Sequence, residues 1–89
     1  MVKIDDSIRR ILITHPLRRT ITCLFHGDDE KYQMAMDIVM YHACDLPNLL
    51  NRDDMHIELE LTSYLRIIIQ IFGDRPDSIV NYHREIMSE

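Results

Sequence analysis

The sequence predicts an all-α fold, about five helices in antiparallel hairpins that form a single domain over residues 1–89. Three observations predict it. The chain has only two Gly and three Pro, which leave long stretches between them. Within those stretches apolar residues recur three and four positions apart, the period of a helix with one buried face. A single short run, 55–61, alternates with the period of a strand, and no other segment offers it a pairing partner. At 46% apolar residues the chain is too hydrophobic to remain a disordered tail.

The first helix runs from Ile4 to Thr14, where Ile4, Ile8, Ile11 and Leu12 share a face and Asp5 or Asp6 is available to the free amides of the first turn. His15-Pro16 breaks it, because proline disfavours helical geometry in the preceding residue yet fits the first turn of a new helix. The second helix therefore spans Pro16 to about His26, with Leu17, Ile21, Leu24 and Phe25 as its stripe, and Gly27 stops it. Asp28 and Asp29 are N-cap candidates for the third helix, Glu30 to Asp45. Its polar residues Lys31, Gln33, Asp37 and Asp45 leave an apolar arc too broad for one packed side. Leu46-Pro47-Asn48 ends it, and Asn48 to Asp54 reads as a turn or a short extra helical piece.

Met55 to Leu61 is the ambiguous run. Helix is favoured because Leu, Glu and Met are good helix formers. In addition Ile57, Leu61, Tyr64, Leu65, Ile68 and Phe72 continue one helical face, with Asp53 and Asp54 to cap its start and Gly73 to end it. After Gly73-Asp74, Pro76 suits a helix start, and Ile79, Tyr82, Ile86 and Met87 form the last stripe.

Charge and composition narrow the function classes. The formal charge of −5 is unevenly spread: residues 1–22 carry a local +3 from Lys3, Arg9, Arg10, Arg18 and Arg19 against two acids, and the remainder carries −8. A net acidic chain repels nucleic acid at long range, so that partner is not expected, although the basic end is able to touch phosphate or an acidic protein surface. No apolar stretch approaches the ~20 residues of a membrane span. The charged start, Met1 to Ser7 followed by Arg9-Arg10, lacks the apolar core of a secretory leader, so a cytoplasmic protein is expected. Cys23 and Cys44 form no C-x-x-C unit and are expected to be reduced and buried.

An enzyme needs a nucleophile with a base, or paired carboxylates, and nothing groups that way here. The two glycines lie 46 residues apart and build no phosphate loop. No enzymatic activity and no cofactor are expected. His56 and Glu60 stand one helical turn apart like a pair of metal ligands, but further ligands are missing, and no metal site is expected. The five histidines are expected to be solvated or near helix ends, as His26 and His83 are, while His42 interrupts the apolar arc as a partner contact or the edge of the core. Met34, Met36 and Met40 lie with Tyr32 and Tyr41 on that arc, and methionine suits surfaces that adapt to a foreign helix. A domain this small buries only about 60% of the surface its extended chain exposes, so part of the apolar helix area is expected to meet another chain.

From Leu46 onward the chain resembles a tetratricopeptide unit: Leu-Pro-Asn, a helix with Leu65 as packing residue, Phe72-Gly73-Asp74, then a helix with small Ser78 and aromatic Tyr82. A rougher copy precedes it, in which Phe25-His26-Gly27-Asp28 echoes that turn and is followed by Ala35, Val39 and a closing Pro47. The pattern departs from a regular array in the separation of its two Gly-Asp turns and in Arg66, which stands where a small residue is expected. A short acidic chain with two such hairpins is similar to the small needle-subunit chaperones of bacterial type III secretion systems. That resemblance implies a tetratricopeptide-like chaperone that, with a small helical co-chaperone, sequesters an amphipathic helix of the needle subunit. It also implies a concave lining of Tyr32, Met36, Met40, Leu61, Tyr64 and Ile68. Two alternatives stand beside it: a small acidic regulatory or immunity-type binding module, and a homodimeric helical regulator with Arg9, Arg10, Arg18 and Arg19 as a basic edge.

Overall fold

Spacing alone decides which face of each helix is buried, and packing decides against what. The computed structural model describes residues 3–44 and 53–88, and for Lys3, Ile4, Asp5, Ser7 and Cys44 the backbone only. Among the described residues there are five α-helices and no strand: α1 (Lys3–Ile13), α2 (Arg18–Leu24), α3 (Asp29–Cys44), α4 (Asp54–Phe72) and α5 (Ile79–Met87). A 3₁₀ turn, Pro76–Ser78, leads into α5. The expected stop at Leu46-Pro47-Asn48, the turn or short helical piece beginning at Asn48 and the buried Cys44 side chain lie outside the described residues.

α1 buries Ile8, Ile11 and Leu12, the spacing expected of it, and places Asp5 and Asp6 within its first turns. The second helix is shorter than predicted. Regular structure begins at Arg18 rather than Pro16, because the His15 ring takes up the Leu17 amide: Leu17 N–H donates to His15 Nδ1 at 3.1 Å. The same ring reaches across to α4, with Nε2 2.8 Å from Thr62 Oγ1, and Thr62 in turn donates to the Glu58 carbonyl at 2.8 Å. An amide can only donate, so Nδ1 accepts and the ring proton sits on Nε2. His15 lies just past the end of α1 but is 6% exposed and fully partnered, so it is helix-terminal as expected and not solvated. Cys23 also departs from expectation. It is free but exposed, since Ile21 and Phe25 turn the opposite face of α2 to the core.

α2 ends in a Schellman arrangement: His26 N–H donates to the Cys23 carbonyl at 3.0 Å and Gly27 N–H to the Thr22 carbonyl at 3.1 Å. The left-handed position that usually takes glycine is filled by His26, with φ 55°, and Gly27 follows with φ 76°. Asp28 then caps α3, its Oδ1 accepting from the amides of Glu30 at 3.0 Å and Lys31 at 3.2 Å. α4 is capped in the same way by Asp53, which accepts from the His56 amide at 3.0 Å. Helix over 55–61 is correct. Ile57 and Leu61, four apart, are buried, whereas Met55 and Leu59 face solvent. At its other end Gly73 keeps a right-handed φ of −60°, so the two Gly-Asp turns that look alike in sequence differ in backbone.

The broad arc of α3 is explained by its position. Every other helix packs on it, and the most extensive pairing in the molecule is α3 with α5, followed by α1 with α4. Ala35, Met36, Ile38, Val39 and Ala43 join Leu61, Leu65, Phe72 and Ile79 in one continuous apolar cluster. Phe72 meets Tyr82 of α5 edge to face, with ring centroids 5.7 Å apart. Much of the apolar surface that the sequence marks as surplus is therefore used inside the chain. The pairing of α1 with α4 closes the helices into a bundle, whereas stacked repeats touch only their neighbours.

Candidate functional site

A helix packed on several sides still leaves gaps where a neighbour is short. α2 has seven residues against sixteen in α3, so it covers only part of the α3 face that looks toward α1. On that face Tyr32, Met36 and Met40 recur every four residues. With Arg9, Leu12 and Ile13 of α1, Arg18 of α2 and Gln33, they line an open cleft of about 250 Å³. Its floor is apolar and its borders carry two guanidinium groups. Arg18 is held in place, since Nε donates to the Tyr32 hydroxyl at 2.9 Å and the guanidinium carbon lies 5.9 Å from the centre of the Tyr32 ring. Past Ile13 and Arg18 the cleft adjoins a shallow recess lined by Thr14, His15, Pro16 and Arg19.

The six residues expected to form one lining are split three ways. Tyr32, Met36 and Met40 share the cleft just described. Tyr64 and Ile68 line a separate crevice of about 30 Å³ between α3, α4 and α5, with Ile67, Ile71 and Tyr82 among its walls. Leu61 lines neither and is fully enclosed by the core. In the crevice His42 stacks on Tyr64, with ring centroids 6.0 Å apart and planes 17° from parallel, so His42 belongs to the seam between α3 and α4. Ile67 and Ile71 are about half exposed beside it.

Leu12, Ile13 and Gln33 are cleft residues that pattern reading missed, while Arg9 and Arg18, expected only as part of a basic edge, border the same cleft. Ile13 gives the one local signal, an isoleucine beside the α1 stripe and not on it. Arg18 meets Tyr32 across a helix boundary, which periodicity within one helix cannot show.

Several polar groups outside the cleft have structural partners. His83 Nε2 lies 3.0 Å from Asp37 Oδ2, joining α5 to α3, and Gln33 donates to the other oxygen of Asp37 at 3.0 Å. His56 Nδ1 is 2.6 Å from the capping Asp53 carboxylate. Lys31 of α3 lies 2.6 Å from Asp77 in the 3₁₀ turn and 3.6 Å from Asp28. Its hydrogen bond with Asp77, and then the attraction of that carboxylate, hold the Lys31 ammonium above its ordinary pKa of 10.5. The same hydrogen bond and charge hold Asp77 below its ordinary 3.8. Among the described residues no three His, Cys, Asp or Glu side chains converge on a point where a metal ion would fit. None of the described helices is long and apolar enough to cross a membrane.

No family model, curated protein or solved structure matches the chain. The cleft is a trough with a flexible thioether floor, a tyrosine wall and an arginine border. Surfaces of this chemistry accommodate apolar side chains with polar ones at their edges.

Proposed function

We propose that this chain is a non-enzymatic binding protein that receives an amphipathic helix of another protein in the cleft between α1, α2 and α3. The observation that carries the reading is the alignment of Tyr32, Met36 and Met40 along the α3 wall of an open cleft. A helix laid in an apolar groove anchors through residues at the same three- and four-residue spacing, and methionine walls adjust to its side chains. In its finer form, which the sequence resemblance alone supports, the chain is a cytoplasmic bacterial chaperone. Its guest is then the needle subunit of a type III secretion system, held together with a small co-chaperone.

Co-expression with the needle subunit tests both forms. Met40 is half-buried at the cleft surface, so Met40→Glu is expected to weaken the complex by roughly tenfold or more while the free protein keeps its helical circular dichroism and cooperative melt. Ile68→Glu is the contrasting control. At 4% exposure it places an unpaired charge in the core and is expected to unfold the protein outright. A Met40→Glu variant that binds its guest normally would overturn the cleft as the binding site.

A further inference from the structure

We infer that the helix received by this cleft is acidic, carrying carboxylates along the borders of its apolar stripe that meet Arg9 and Arg18; the inference rests on the cleft being a helix-binding site. Four features lead to it. Both arginines are exposed and border an apolar floor, and they come from different helices. Among the described residues neither has a carboxylate within ion-pair distance, whereas Arg10 is engaged with Asp54 at 3.3 Å and Lys31 with Asp77 and Asp28. Arg18 is already oriented by its hydrogen bond to the Tyr32 hydroxyl, so less side-chain freedom is lost when it takes a partner. Its terminal nitrogens keep their donors for a planar, two-oxygen acceptor.

The fourth feature is the sign of the charge. The chain as a whole is −5, yet residues 1–22, which contain both arginines, are locally +3. An acidic partner is repelled over most of the molecule and attracted at this cleft, which selects one docking position against all others. A partner chosen by net charge alone would be basic. The cleft therefore inverts the preference that the bulk composition imposes, and the inversion is measurable.

Fluorescein-labelled peptides of about 16 residues, long enough for four helical turns, provide the probe. All share Leu at positions i, i+3, i+4 and i+7 in an Ala background and differ only in the residues flanking that stripe, which are Glu, Gln or Lys. Fluorescence anisotropy with the intact chain at low salt is expected to rank them Glu, then Gln, then Lys, with about tenfold between the extremes. At high salt the gap is expected to close to about threefold or less. The double variant R9E/R18E is expected to keep the helical fold because both sites are exposed, with a small drop in melting temperature from loss of the Arg18–Tyr32 contact, and to reverse the order. Equal affinity for all three peptides, or an order that R9E/R18E leaves unchanged, overturns the acidic partner while the helix-binding cleft stands. Failure of every peptide to bind overturns the cleft itself. Two further outcomes also overturn the inference: tighter binding of a duplex oligonucleotide than of the Glu peptide, and a self-dimer in sedimentation that R9E/R18E dissociates.

Discussion

Two histidines carry stabilities of opposite sign. His26 sits in the left-handed region at the end of α2, a conformation that costs an ordinary side chain roughly 1–2 kcal/mol and glycine almost nothing. His26→Gly is expected to raise stability by about 0.5–1 kcal/mol in urea unfolding, the gain being reduced by the extra freedom of glycine in the unfolded chain. His26→Val, branched at Cβ, should lower it. His15 works the other way, through the chain of hydrogen bonds from the Leu17 amide to the Glu58 carbonyl. Thr62→Val keeps the shape of the side chain but leaves the Nε2 proton of a 6%-exposed ring without an acceptor, and a loss of about 1–3 kcal/mol is expected in the same measurement. Sequence pattern expected both histidines to be solvated or near helix ends; both lie at helix ends, but His15 is buried and bonded across the core. The difference is range: Gly27 announces a helix end locally, whereas the partner of His15 lies 47 residues away.

At the scale of elements, periodicity was a reliable guide to buried faces and a poor one to backbone at the turns. Ile8, Ile11 and Leu12 of α1 and Ile57, Leu61, Leu65, Ile68 and Phe72 of α4 are buried as their spacing indicates, and Asp28 and Asp53 cap the helices that follow them. The stretch over 55–61 is instructive because its alternation suits either element. A helix turns Ile57 and Leu61 to one side and Met55 and Leu59 to the other, so an apparent strand pattern is satisfied by two helical faces. The glycines mislead in the other direction. Gly27 needs its positive φ, but Gly73 has a φ open to any residue and is required by contact: a Cβ there would lie 2.6 Å from the Ile69 carbonyl oxygen. Gly73→Ala is therefore expected to destabilise by about 1 kcal/mol or more despite the better helix propensity of alanine, a sign that thermal unfolding reads directly.

At the scale of the molecule, α5 and the 3₁₀ turn before it are tied to α3 through the apolar core and through two polar links, His83 with Asp37 and Lys31 with Asp77. The second of these has a definite pH window. Asp77 is shifted down, so its contribution is full above the ordinary carboxylate value and fades as pH falls through its lowered one. Lys31 is shifted up, so its contribution is full below the ordinary ammonium value and fades as pH rises through its raised one. The melting temperatures of the parent and Asp77→Asn should differ by a small constant amount across the neutral range and converge in strong acid and strong alkali. Added salt should shrink the gap, since the pair is exposed. The all-helical fold was legible in the sequence because it follows from period and punctuation. The arrangement was not, because a broad apolar arc signals only that much is covered and leaves open whether kin or stranger does the covering. Half of the expected lining, Tyr32, Met36 and Met40, does share a cleft, since residues four apart on one helix stay together whatever packs around them. Residues from α4 joined to them by analogy lie elsewhere. With α3 as the hub, peeling away any single spoke strips cover from the axle, so damage at either extremity is expected to be felt throughout and collapse to come as one all-or-none event.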